Sequence, residues 1–157
     1  MSLKINCGNY EQELELKKEI GKGAFGSVYL ASDCRGLPFA VKMSNCIDAA
    51  TFFTAYQEIQ ILLNVNHKNI ARMYAFDFHN NQAVLVFEYC NGGNLNDHLK
   101  RDVSDELKVQ WMLQLLKAMQ YLHSKKIVHR DLKPENVLLH NDVIKLTDFG
   151  ISRYYLQ

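Results

Sequence analysis

The stretch IVHRDLKPENVLL, residues 127–139, sets His, Arg, Asp, Lys, Glu and Asn into eight positions between two apolar runs. Burying polar groups without partners is costly, so the flanks belong in a core and the middle in a loop that serves polar partners. Pro134 disfavours helix there and biases Lys133 towards an extended conformation. Asp131 is placed to accept a hydroxyl proton. Asn136 offers a neutral oxygen ligand, and Asp148, in TDFG, offers a carboxylate. Together with phosphate oxygens and water these make a hard-ligand set suited to Mg2+. Lys133 is a cation available to neutralise a transferring phosphoryl group, and His129 is read as a packing residue.

A second stretch, GKGAFGSV at 21–28, restricts the architecture further. Its glycines are followed by strand-like Ser27-Val28-Tyr29-Leu30. A dinucleotide fingerprint should open a helix at that point, and no GK[ST] is present, so both common phosphate-loop folds are excluded. A glycine turn between two strands instead suits a flap whose N–H groups approach phosphates without Cβ obstruction, with Phe25 at its tip to shield the site from water. Lys42 lies in the apolar strand FAVKM. Alone it reads equally well as an edge residue reaching water. Glu58, between apolar positions Ala55 and Leu62 of the next helix, is its natural counter-charge. A partly buried pair of this kind is a poor source of stability and a better way to hold an ammonium against anionic oxygens.

The chain is β-rich first and helical later. Strands are expected at 13–20, where Glu and Lys would also suit a helix but Leu14, Leu16 and Ile20 keep an even spacing, at 28–31 and at 39–43, and a helix over 48–66 with Phe52, Ala55/Tyr56, Ile59 and Leu62/Leu63 on one stripe. Two strands follow, joined at His79-Asn80-Asn81, and then a break at CNGGN, 90–94. A second helix is expected after an N-cap at Ser104, with Leu107, Trp111, Leu115, Ala118 and Leu122 as its stripe. The last expected element is a hairpin turning near Asn141-Asp142.

A formal charge of +1 gives no electrostatic reason to expect nucleic acid or an anionic membrane as partner. No apolar run approaches membrane-spanning length, and MSLKINCGNYEQE has no hydrophobic signal core. Cys7, Cys34, Cys46 and Cys90 fall in no metal or CxxC spacing, which suits a reducing compartment, cytoplasmic or nuclear.

Taken together, GxGxxGxV at 21–28, AVK at 40–42, Glu58, HRDLKPEN at 129–136 and DFG at 148–150 resemble the eukaryotic protein kinase family over about residues 14–153. DLKPEN resembles its serine/threonine branch. The resemblance implies an α+β fold: an N-terminal extension at 1–13, an N-lobe of antiparallel sheet plus one helix at 14–89, and a partial helical C-lobe at 90–157. It implies that Ile20, Gly21, Lys22, Gly23, Ala24, Phe25, Gly26, Ser27 and Val28 cover ATP, and that Lys42, held by Glu58, grips the α- and β-phosphates. Phe87, Glu88 and Cys90 match the segment that meets adenine, and Val28, Ala40 and Leu138 match residues that sandwich its ring. Asp131 matches the catalytic base, assisted by Lys133, while Asn136 and Asp148 match the Mg2+ ligands. Arg130 resembles an arginine that, in many members, answers to an activation-loop phosphate.

Seven residues follow Gly150, whereas the family pattern continues into an activation segment, an APE motif and large helices. The resemblance therefore implies a complete nucleotide pocket, an incomplete peptide-substrate site, and an open apolar underside that invites a partner chain. The expected activity is transfer of the ATP γ-phosphate to serine/threonine hydroxyls of proteins. The alternative is a kinase-like nucleotide-binding or decoy module without catalysis.

Overall fold

The structure, a computed structural model, describes residues 2–7, 10–23 and 26–155. The chain divides into two compact units, residues 1–60 with 73–89 and residues 61–72 with 90–157. The break after Tyr89 coincides with the CNGGN interruption. Residues 61–72, read from sequence with the first lobe, pack instead with the second unit.

The first unit is a six-stranded antiparallel sheet and most of a helix. Its strands are β1 (Ser2–Cys7), β2 (Tyr10–Gly23), β3 (Gly26–Ser32), β4 (Pro38–Asn45), β5 (Met73–His79) and β6 (Gln82–Glu88), in the order β1-β2-β3-β4-β6-β5. The sheet curls until its two end strands, β1 and β5, lie against one another. Strand β1 falls within the segment read only as an N-terminal extension. Its Leu3 and Ile5 are buried with Leu14, Ala31, Val41, Val84 and Val86 in one apolar cluster on a single face. Because successive strand residues point to opposite faces, Ala40 and Lys42 lie on the other face.

Local chemistry explains the connections. Between β3 and β4, the Asp33 carboxylate accepts from the N–H groups of Arg35 and Leu37, both at 2.9 Å, fixing the turn. Asn80 and Asn81 both have positive φ (50° and 59°), the signature of a two-residue turn matched to strand twist.

The helix α1 (Ala49–Leu63) starts where Asp48 and Thr51 exchange side-chain and backbone hydrogen bonds, at 2.8 and 3.2 Å. Its expected stripe separates into two. Ala55, Glu58, Ile59 and Leu62 are buried, whereas Phe52, Tyr56 and Leu63 are exposed. Phe52 stacks against Phe78 and Tyr56 rather than entering the core.

The second unit contains α2 (Leu95–Leu99), α3 (Asp105–Ser124), β7 (Ile127–Val128), β8 (Val137–His140), β9 (Val143–Leu146) and β10 (Arg153–Tyr154). Ser104 caps α3 by accepting from the Leu107 N–H, with Asp105 and Glu106 in the first turn where the helix dipole favours them. Trp111, Ala118 and Leu122 of the expected stripe are buried, and Leu107 and Leu115 are half-buried. Another face of α3 presents Val109, Met112, Leu113 and Leu116 to solvent. The β8–β9 hairpin turns on Asn141 and Asp142, both with positive φ. Cys34, Cys46 and Cys90 form no disulfide, and among the described residues no helix is long and apolar enough to cross a membrane.

Candidate functional site

In the first unit the antiparallel register collects the expected residues into rows. Gly21 pairs with Val28, Val28 with Lys42, and Ala40 with Phe87. On either side of the glycine stretch Gly23 lies opposite Gly26 and Lys22 opposite Ser27. Gly26 is required on two counts. Its φ is +135°, and a Cβ there would lie 2.1 Å from the Met43 carbonyl oxygen. Ile20, on β2, is exposed. Ala24 and Phe25, including the proposed water shield, lie outside the described residues.

Lys42 projects from β4 to α1, where its Nζ meets both Glu58 oxygens at 2.7 and 2.8 Å. The two side chains are only 13% and 5% exposed, so this is a desolvated pair and not a surface one. An edge lysine reaching water is thereby ruled out. Glu88 ends β6, and Cys90, the first residue after the unit break, is buried.

In the second unit the expected loop is partly a 3-10 turn, Pro134–Asn136, with Pro134 at its start, where a missing N–H costs nothing. Lys133 is extended as expected, at φ −155° and ψ 157°. Asn136 donates both amide hydrogens to Asp131, to the backbone oxygen and to Oδ2, each at 2.9 Å. Its own Oδ1 is therefore turned away from Asp131 as an acceptor. Lys133 Nζ lies 3.4 Å from Asp131 Oδ1. These three residues thus form one polar group around a single carboxylate.

Asp148 reaches the same region through sheet register. Val137 pairs with Leu146 in the β8–β9 hairpin, and the Thr147 N–H donates to the Asn136 carbonyl at 2.9 Å. Asp148 follows directly, in the left-handed region at φ 63°, an unusual conformation for a non-glycine residue. Leu138, on β8, bridges to Asn94.

The donors suit a hard divalent cation: an amide oxygen from Asn136 and a carboxylate from Asp148. Among the described residues no group of three or more His, Cys, Asp or Glu could hold a metal unaided.

His129 is fully buried. Its Nε2–H donates to the Thr147 carbonyl at 2.9 Å, and its Nδ1 accepts from the Asp131 N–H at 3.3 Å. This pairing specifies the neutral ring. Its edge packs on Phe149 at 4.9 Å, and its carbonyl accepts from the Ser152 hydroxyl. With both nitrogens engaged by backbone, His129 braces the loop, and its ring proton is committed to the Thr147 carbonyl.

Burial pushes the His129 pKa below 6.5, although the Thr147 bond and the nearby Asp148 and Asp131 carboxylates pull it upward. An unfolded histidine gains its proton first as pH falls, so stability is full above about 6.5 and declines below it until the folded pKa is reached. Urea unfolding between pH 7.5 and 5.5 should show this loss, at most about 1.4 kcal/mol per pH unit from this residue. In His129→Gln the slope should flatten.

Two residues that hold this region were not found from sequence. Asn69 is fully buried, and Gln114 lies on α3 among apolar neighbours. Both contact β9. No spacing or turn chemistry marks either one, since each acts only once the loop, the helix and the strand have met.

Comparison with known proteins matches residues 14–157 to the family described as protein kinase domain. The chain is 40% identical to an Aurora kinase of Schizosaccharomyces pombe over 88% of its own length and 41% of the relative's. It is 38% identical to MAP kinase kinase kinase SSK2 of Saccharomyces cerevisiae, over 98% of this chain and 10% of that one. Against serine/threonine-protein kinase ULK1 of Homo sapiens the identity is 40%, over 90% of this chain and 15% of the relative. The chain therefore spans less than half the length of these relatives.

Proposed function

Since the chain belongs to the protein kinase family, we propose that it binds Mg2+-ATP and carries the groups that transfer the γ-phosphate to a serine or threonine hydroxyl of a protein substrate. The observation that carries this reading is the desolvated Lys42–Glu58 pair. Such a pair adds little stability for its desolvation cost, and its use is to hold a cation in a fixed place.

The first unit supplies the residues assigned to the nucleotide. Ile20 to Gly23 and Gly26 to Val28 present glycine-rich backbone to the phosphates, Lys42 contacts the α- and β-phosphates while Glu58 orients it, and Ala40, Phe87 and Glu88 meet the base. Cys90 and Leu138 are assigned to the base by the family resemblance alone. Asn136 and Asp148 would hold Mg2+, which when bound draws charge from the phosphate oxygens. Asp131 accepts the substrate hydroxyl proton, its carboxylate oriented by the Asn136 amide. Lys133 offsets negative charge beside it. The DLKPEN sequence and the relatives' names favour serine/threonine over tyrosine as acceptor.

Mg2+-ATP at about 100 times its Kd should stabilise the protein by roughly 2.7 kcal/mol, read as a rise in Tm. Transfer of labelled phosphate to a protein acceptor should accompany it. A Tm rise with no transfer, under varied activation conditions, would favour a nucleotide-binding module. No Tm rise would remove the nucleotide reading altogether.

A further inference from the structure

Strand β9 leads directly into Asp148, and its outer edge is closed by side chains distant in sequence. On one edge β9 pairs with β8. On the other, the Leu146 N–H donates to the Asn69 carbonyl at 2.8 Å, and the Ala71 N–H donates to the Leu146 carbonyl at 2.9 Å. Two residues earlier the same edge is held by amide side chains. Asn69 Nδ2 donates to the Ile144 carbonyl at 3.1 Å, and the Ile144 N–H donates to Gln114 Oε1 at 2.9 Å. Asn69 Nδ2 also donates to Gln114 Oε1 at 3.0 Å, locking the two amides together.

Both backbone groups of Ile144 and both of Leu146 are thus satisfied on that edge. Because a strand alternates faces with period two, a slip of one residue would reverse every side chain that follows. The left-handed Asp148 comes two residues after the clamped Leu146. Asn69 Oδ1 makes no hydrogen bond among the described residues. Both of its amide hydrogens are committed to the clamp, which fixes the orientation of the side chain.

We infer that Asn69 and Gln114 are positioning residues for Asp148: their paired amides fix the register of β9 and so the place of the metal-binding carboxylate. This inference rests on the metal role proposed for Asp148. Groups that orient a metal ligand commonly change metal affinity by about 10–100-fold when lost.

Gln114 gives the cleaner test, because Asn69 is fully buried and its replacement endangers folding. Among the described residues Gln114 acts only as an acceptor, through Oε1. Gln114→Glu keeps that acceptor and should behave as the parent, whereas Gln114→Leu fills similar space without it. Two readouts apply. In amide hydrogen exchange, Gln114→Leu should speed exchange at Leu146 and Thr147 as well as Ile144, by about tenfold or more, with amides of α3 unchanged. With Mn2+ as the probe ion, the gain in ATP affinity on adding metal should fall about tenfold, while ATP affinity in EDTA stays the same.

Faster exchange confined to Ile144, or spread evenly through the second unit, would overturn the inference. So would a Gln114→Glu chain as impaired as Gln114→Leu, or an unchanged metal response in a parent that shows one. If the parent binds no nucleotide with Mn2+, the proposed function fails. The exchange pattern at Leu146 and Thr147 then decides the register clamp independently.

Discussion

A Lys42→Met chain should unfold in urea with a stability about 3–5 kcal/mol lower than the parent. Methionine fills the lysine's space but leaves the Glu58 carboxylate, 5% exposed, without its counter-charge. Most of that loss should return in Lys42→Met/Glu58→Leu, because removing both charges also removes the desolvation cost. The double variant should nonetheless bind Mg2+-ATP no better than the single one. Recovery of the fold without recovery of binding separates the pair's function from its contribution to stability. A Lys42→Met chain as stable as the parent would mean that water reaches Glu58 freely.

Asp131→Asn should lower phosphoryl transfer by about 10²–10⁴-fold, the range that positioned general bases contribute. Its effect on folding should be slight. Asparagine keeps an oxygen to accept from the Asn136 amide, and the pair with Lys133, whose side chain is 49% exposed, is worth only about 0–1 kcal/mol. Nucleotide affinity should also be retained, since Asp131 is assigned to the acceptor hydroxyl. Steady-state rates with saturating ATP, set beside the melting temperature, check all three expectations. Transfer within tenfold of the parent would remove Asp131 from the role of base.

Much of this arrangement is legible in the sequence wherever a residue's meaning is local. Asn80-Asn81 and Asn141-Asp142 announce their turns because few other residues accept successive positive φ values. Ser104 announces α3 through its cap. Lys42 and Glu58 are conspicuous because each interrupts an apolar pattern, and a charge in such a place implies its opposite nearby. The glycine row is legible for a related reason: Gly26 occupies a position where a Cβ would collide with backbone.

What is missed depends on tertiary packing. The outward turn of Phe52 and Tyr56 follows from α1 burying Ala55, Ile59, Ile61 and Leu62 of a helix that is apolar more than halfway round. The left-handed backbone at Arg130 has no sequence signal, and at Asp148 a lone aspartate tolerates it without announcing it. Asn69 and Gln114 look like ordinary surface amides until both meet the outer edge of β9. Strand β1 carries a faint alternation in Leu3 and Ile5, but six residues beside a stretch of Asn, Gly and Tyr do not declare a partner.

That first strand has a practical corollary for anyone preparing the protein. The family match begins at residue 14, so an expression boundary chosen from that match alone would discard Leu3 and Ile5. Trimming there would strip the lining from Leu14, Ala31, Val41, Val84 and Val86, leaving a greasy, self-adhesive surface on a sheet whose opposite face, with Ala40 and Lys42, was untouched.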